Sequence, residues 1–180
     1  MNRTASLSDG ALVQRVLSGE VDDFGILVER YRADFARYSA GLCGDADTAA
    51  DAMQEAFIRA YRSLASCREP DKFKAWFFRI LTNQCHNARD RKKMHVALDD
   101  ISAEADHRAD DRLTSANTRG AIDAALKELT TEQREAFVLK QLAGYSYAEI
   151  AELLDEGVDA LKMRVYRARD VVKKRLEELI

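Results

Sequence analysis

Apolar residues recur every three or four positions along most of this chain, the signature of helices with one buried face. The first clear run is Phe24, Leu27, Val28, Tyr31, Phe35 and Tyr38, with Asp22 and Asp23 as candidate caps and a stop near Gly41 and Gly44. A second stripe, Ala49, Ala52, Met53, Ala56, Phe57, Ala60 and Leu64, opens after the polar segment 45–48. A third predicted helix runs from 71 to about 93, with Phe73, Phe77, Ile80, Leu81 and Ala88 on one face. The pattern then breaks at "DDISAEADHRADDR" (99–112), six acids against two arginines, which reads as a solvated linker. Beyond it, residues 119–129, 132–142, 147–154 and 158–179 predict four more helices, with "LTTEQ" supplying a hydroxyl cap followed by an acid in the first turn. The expected fold is all-α: a helical domain over 1–95, an acidic flexible linker over 96–116 and a second helical domain over 117–180.

Composition sharpens this picture only at its edges. Eight glycines and a single proline, Pro70, leave room for long helices and argue against a turn-rich β fold. The net charge of −3 averages acidic and basic segments and says little by itself. Cys43, Cys67 and Cys85 follow no metal-ligand spacing and read as reduced thiols, and the lone Cys85-His86 pair lacks further ligands. No apolar run reaches the roughly 20 residues of a membrane span, and the first residues show no signal-peptide pattern. A soluble cytoplasmic protein with no cofactor and no metal is expected. An enzyme is not expected either, because His86, His95 and His107 stand with no paired carboxylate or nucleophile.

Three faces differ from the core stripes. On the second stripe's helix, Asp51, Gln54, Glu55, Ile58, Arg59 and Arg62 form an outward strip of mixed charge around one apolar residue. That strip fits an ordinary surface or a partner helix anchored by Ile58. On the third helix, Lys72, Trp76, Arg79, Asn83 and His86 share the side opposite Phe73, and Arg89, Arg91, Lys92 and Lys93 follow. Either Trp76 belongs to the core above a solvated face, or the ring stacks on unpaired bases while cations meet phosphate. In the C-terminal part, small Ala151 precedes a four-residue turn and a helix bearing Lys162, Arg164, Arg167, Arg169, Lys173, Lys174 and Arg175. This is the pattern of a helix-turn-helix whose second helix enters the major groove, or of an amphipathic helix with a charged outer face.

These stretches, in this order, resemble bacterial sigma factors of the extracytoplasmic-function (ECF) group within the sigma-70 family. "DAMQEAFIRAYRSL" (51–64) is similar to the polymerase-binding region 2.2, and "KFKAWFFRILTNQCHNARDRKK" (72–93) to region 2.3–2.4. "LTTEQREAFVLKQLAGYSYAEIAELL" with "LKMRVYRAR" (129–169) is similar to region 4. The resemblance implies a transcription-initiation factor that binds core RNA polymerase through Asp51, Gln54, Glu55, Ile58, Arg59 and Arg62. It further implies that the loop 63–71 captures a flipped base of the −10 element. Lys72, Trp76, Arg79, Asn83, Arg89, Arg91, Lys92 and Lys93 would hold the melted strand and its backbone. Lys162, Arg164, Tyr166, Arg167 and Arg169 would read the −35 element, and a cognate anti-sigma factor is an implied partner.

The chain departs from the family pattern at the turn. Asp155 stands where glycine is usual, Glu156 where the family is apolar, and Asp159-Ala160 where Gly-Thr is common; Asn87 replaces a common Asp. Asp155 can take the left-handed conformation of a turn glycine, or Gly157 is the turn glycine and the register slips by two. Acids at a helix start favour the helix but occupy the end that would attract phosphate. The expectation is weak or unusual −35 contact. A sigma mimic that sequesters an anti-sigma factor without directing transcription is the alternative.

Overall fold

The computed structural model describes residues 6–99, 122 and 124–178. Among these residues every regular element is a helix or helical turn. They gather into two compact units, one holding the chain up to Arg89 and the other most of it from Asp90 on.

The first unit is built from α1 (Asp9–Leu17), α2 (Asp23–Cys43), α3 (Ala46–Arg62), two 3-10 turns (Leu64–Ser66 and Pro70–Lys72) and the part of α4 (Phe73–Asp99) up to Arg89. The hydrophobic pattern did not announce α1, whose apolar stripe is only Leu12, Val13 and Val16, all buried. Its start is marked instead by Ser8, whose Oγ accepts from the Ala11 N–H at 3.2 Å. The acids ahead of α2 are not side-chain caps: Asp22 makes no capping bond, and buried Asp23 pairs with Arg15 of α1. Gly44, at φ 84°, closes α2 in the left-handed conformation. Asp45 caps α3 by accepting from the Thr48 N–H at 2.9 Å.

Buried Ala49, Ala52, Ala56 and Ala60 give α3 a narrow inner face that lets the neighbouring helices approach. The space between is filled by rings. Phe35 of α2 is fully buried, with its centroid 4.3 Å from Phe77, 5.3 Å from Phe78 and 5.6 Å from Tyr31. Phe73, Phe77, Phe78, Leu81, Cys85 and Ala88 form the inner side of α4. Helix α4 runs to Asp99, past the expected end near 93, because no helix breaker intervenes. Residues 100–121, which hold most of the linker expected at 96–116 and the start of the helix expected at 119–129, lie outside the described residues.

The second unit comprises a helical segment at 124–128, α5 (Thr131–Phe137), a π-helical turn (Val138–Leu142), α6 (Tyr147–Leu154) and α7 (Val158–Glu177). Two reciprocal caps set its helix starts. Thr130 and Gln133 exchange side-chain-to-backbone bonds at 3.3 and 3.1 Å, and Ser146 and Glu149 do so at 3.2 and 2.7 Å. The helix expected over 132–142 widens in its second half, where the Ala143 N–H reaches back to the Val138 carbonyl at 2.9 Å. Lys140 accompanies that widening, donating to the Tyr145 carbonyl at 3.1 Å from above the Tyr147 ring. Ala125, Leu126, Leu129, Phe137, Ala168 and Val172 make the core, with the buried guanidinium of Arg134 donating to the Leu126 carbonyl.

The α6–α7 turn answers the register question. Asp155 has φ 57°, the single positive φ at a non-glycine residue among the described residues, and the Glu156 N–H closes on the Ala151 carbonyl at 3.1 Å. Gly157 is extended at φ −72° and ψ 138°, as the cap residue of α7. The register therefore does not slip, and Asp155 does the work of the usual glycine. Two substitutions are predicted to behave in opposite ways. Gly157→Ala meets nothing within 4 Å and should raise stability by about 0.4–1 kcal/mol through the unfolded chain. Asp155→Ala should lower it by roughly 1 kcal/mol. Urea unfolding of both variants checks the pair; a destabilised Gly157→Ala would contradict the turn geometry.

Candidate nucleic-acid interface

The outer side of α3 follows from its alanine-lined inner side. Asp51, Gln54, Ile58, Arg59 and Arg62 are exposed and Glu55 is half-buried, so the strip read from the sequence lies on one accessible face. Arg59 Nε donates to Glu55 Oε1 at 2.9 Å. Ile58 is 38% exposed, and one turn on Tyr61 is 45% exposed, its ring edge-on to Phe24. Tyr61 was missed in the sequence because an aromatic residue near a core stripe reads as core. Its spacing of three from Ile58 was the available signal.

On α4 the expected face divides. Arg79 and Asn83 are exposed, whereas Trp76 is half-buried with its ring 5.8 Å from Phe73. The tryptophan therefore shares both earlier descriptions, one edge on the core and one towards solvent. Lys72 is exposed and paired with Glu69 at 2.8 Å, which holds its ammonium pKa above the ordinary value. Arg91 and Lys92 are exposed and Arg89 is half-buried, while the Lys93 side chain lies outside the described residues. Arg59, Arg62, Ser63, Ile80, Asn83 and Gln84 line a cleft of about 400 Å³ between α3 and α4. It opens where the 63–71 loop begins. Polar donors and one aliphatic wall are what a flat heterocycle with edge acceptors requires.

On α7 the basic residues do not form one patch. Lys162, Tyr166, Arg169 and Lys173 each follow a buried residue (Leu161, Val165, Ala168, Val172) by one position and run along one flank. Arg164 and Arg167 each precede a buried residue and run along the other. Tyr166 is 68% exposed. Arg169 and Lys173 also line a groove of about 300 Å³ with Phe137, Gln141, Val172, Leu176 and Glu177.

Both flanks are bound by the acids of the turn. Arg164 is paired with Glu156, their side chains only 30% and 28% exposed. Lys162 Nζ lies 3.2 Å from Asp159 Oδ1, but Asp159 is 97% exposed, and such surface pairs contribute roughly 0.2–1 kcal/mol or nothing. The sequence drew attention to Asp159; the geometry gives the larger effect to Glu156, which holds Arg164 in partial shelter.

Two family models match this chain: Sigma-70 region 2 over residues 27–94 and Sigma-70 region 4 over residues 119–170. The ECF RNA polymerase sigma-E factor of Escherichia coli K12 is 32% identical over 186 residues, covering 97% of each chain. The chain belongs to the ECF sigma factors of the sigma-70 family. The sigma-E factor of Haemophilus influenzae is 31% identical, covering 97% of this chain and 98% of that one. Among solved structures, CnrH in complex with the cytosolic domain of CnrY aligns with a TM-score of 0.70 and 26% identity over 94% of this chain and 97% of that one. The sigma factor RpoE of Bartonella quintana, solved with the anti-sigma factor NepR, aligns with a TM-score of 0.62 and 25% identity over 87% and 98%.

This sigma factor is thus a transcription-initiation protein that works with core RNA polymerase and promoter DNA. None of these relatives favours a mimic. Among the described residues, no helix is long and apolar enough to cross a membrane. The pairing at the turn predicts a separable effect on duplex binding. Glu156→Gln should release Arg164 for one more phosphate contact, steepening the log–log salt dependence by about 0.9. Asp159→Asn should leave the slope near the wild-type value. Anisotropy with a −35 duplex across a salt series checks this, and equal slopes for Glu156→Gln and wild type would refute the sequestration of Arg164.

Proposed function

We propose that the two units divide promoter recognition between them, joined by the acidic segment that follows the end of α4 at Asp99. The interval between the two family matches, 95–118, supports that division. In the first unit, the α3 face of Asp51, Gln54, Glu55, Ile58, Arg59 and Arg62 docks on core polymerase, with Tyr61 extending it. The same unit captures a base extruded from the −10 element and holds the melted strand through Trp76, Arg79 and Asn83. Lys72, Arg89, Arg91, Lys92 and Lys93 follow the backbone of that strand.

The observation that carries this reading is the cleft that joins Ser63, at the start of the capture loop, to Asn83 and Arg62. Extruding a base costs a few kcal/mol in lost stacking. Asn83 repays part of that by pairing with the base edge, and Trp76 contributes a stacking surface at the strand's next position. The protein needs no catalytic group for this, since opening is a transfer of bases from one stack to another environment. We accordingly read the chain as non-enzymatic and cytoplasmic.

The second unit reads the −35 element with Arg164 and Arg167 on one flank of α7 and Lys162, Tyr166 and Arg169 on the other. The apolar groove beside Phe137 and Val172 fits a helix of the polymerase flap. The solved relative bound to an anti-sigma factor supports a cognate anti-sigma partner for this chain too.

Two variants should separate docking from melting. Ile58→Glu should weaken core polymerase binding by roughly tenfold or more, as burying a charge at an interface centre does. Asn83→Ala should leave core affinity intact and lower open-complex formation on duplex promoter by about tenfold, the scale of one lost base contact. Competition binding to core and permanganate reactivity of the promoter measure the two quantities. Coincident losses in both assays for both variants would overturn the division of faces.

A further inference from the structure

The first helix precedes the matched region-2 segment, which begins at residue 27, and the functions assigned above make no use of it. It is nonetheless fastened to the loop on which base capture depends. The Gly10 N–H, in the first turn of α1, donates to Asp71 Oδ1 at 3.1 Å. First-turn amides have no partner within their own helix, and a carboxylate is the group best suited to satisfy one.

The approach is close because residue 10 is glycine. A Cβ there would lie 2.3 Å from the Asp71 Oδ1 atom, nearer than a side chain can come without something moving. The turn that offers this amide is itself held from behind. Asp9, 8% exposed, accepts from Arg30 and from the Tyr31 hydroxyl, and Arg30 also donates to the Leu7 carbonyl at 2.7 Å. Burial and the bond to Asp9 push the Tyr31 phenol above its ordinary pKa, so it remains a donor. Leu12 and Val13 of α1 are fully buried in the same unit.

The loop is thus pinned at Leu64 and Cys67, both buried, and at Asp71, while Ala65, Ser66, Arg68 and Glu69 face outward. Of these three pins, Asp71 is at an exposed position and depends on a polar contact rather than on burial.

We propose that α1 is a brace for the capture loop, with Gly10 and Asp71 as positioning residues that set how the outward residues Ala65, Ser66, Arg68 and Glu69 stand against the cleft at Asn83. This rests on the reading of 63–71 as the base-capturing loop. Neither residue touches DNA in this account. They act through the loop, so their loss should blur which base is accepted before it affects folding or polymerase docking.

The test uses holoenzyme assembled from core RNA polymerase and the full chain. Binding is measured to pre-melted fork templates carrying each of the four bases at every melted position in turn. Wild type should prefer one base at the captured position. Gly10→Ala and Asp71→Ala should reduce that preference by roughly ten- to a hundredfold, the scale on which displacement by about 1 Å acts. Core affinity should be unchanged, and Asp71→Asn, which keeps an acceptor oxygen, should restore most of the preference. If Gly10→Ala lowers the melting midpoint or core affinity, Asp71→Ala, which leaves α1 unaltered, decides alone. Wild-type preference retained in Asp71→Ala overturns the brace while the capture reading stands. Absence of any base preference in wild type overturns the capture reading and the brace with it.

Discussion

The stacking of Phe35 on Phe77 is the contact around which the first unit is arranged. Phe35 comes from α2 and Phe77 from α4, and Phe57 of α3 lies 4.8 Å from Phe77. Three helices therefore meet at one pair of rings. Once those rings are inward, helical periodicity leaves little choice about the other residues. Ile58 and Arg59 turn outward on α3, and Arg79 and Asn83 turn outward on α4. The two outward faces of region 2 are consequences of where the aromatic core sits. A large buried aromatic removed from such a site costs on the order of 3–5 kcal/mol, a sizeable part of a small unit's stability.

A second theme is the use of side-chain oxygens on helix starts. Ser8, Asp45, Thr130 and Ser146 each accept from their own helix's first turn, and Asp71 does so for a helix distant in sequence. The acids at the recognition helix depart from this scheme. Glu156 and Asp159 engage Arg164 and Lys162 instead of the backbone. The positive end of α7 is left open, capped by an extended glycine with no side-chain bond. At this turn the acids therefore engage neighbouring cations rather than the helix end.

Much of this was legible in the sequence, and the gaps have physical reasons. The stripes of α2, α3 and α4 carry enough large apolar residues to announce their period, and the mixed strip at 51–62 was visible as what the stripe left over. Helix α1 was not, because a buried stripe of three apolar residues on a nine-residue helix gives too little periodicity to read. The cap of "TTEQ" was legible because capping boxes are local; "SYAE" holds the same kind of signal but went unread. The Gly10–Asp71 bond, spanning 61 positions, has no local signature. Trp76 was ambiguous in the sequence because its surroundings are mixed, half-buried against Phe73. The division of α7 into two flanks follows from counting positions, yet a count of positive charge along the helix hides it. Asp155 shows the opposite case: the family resemblance correctly located the left-handed position, and the residue there tolerates it.

As a transcription-initiation sigma factor, this chain should turn core RNA polymerase into an enzyme that opens promoters at a −10 element. The most direct measurement is run-off transcription from a library of promoter fragments by core polymerase with and without the purified chain. Transcripts should depend on the chain and start at a fixed distance downstream of a shared pair of −35 and −10 sequences. Stable binding of the chain to core polymerase with no promoter transcribed above the core-only background would contradict it.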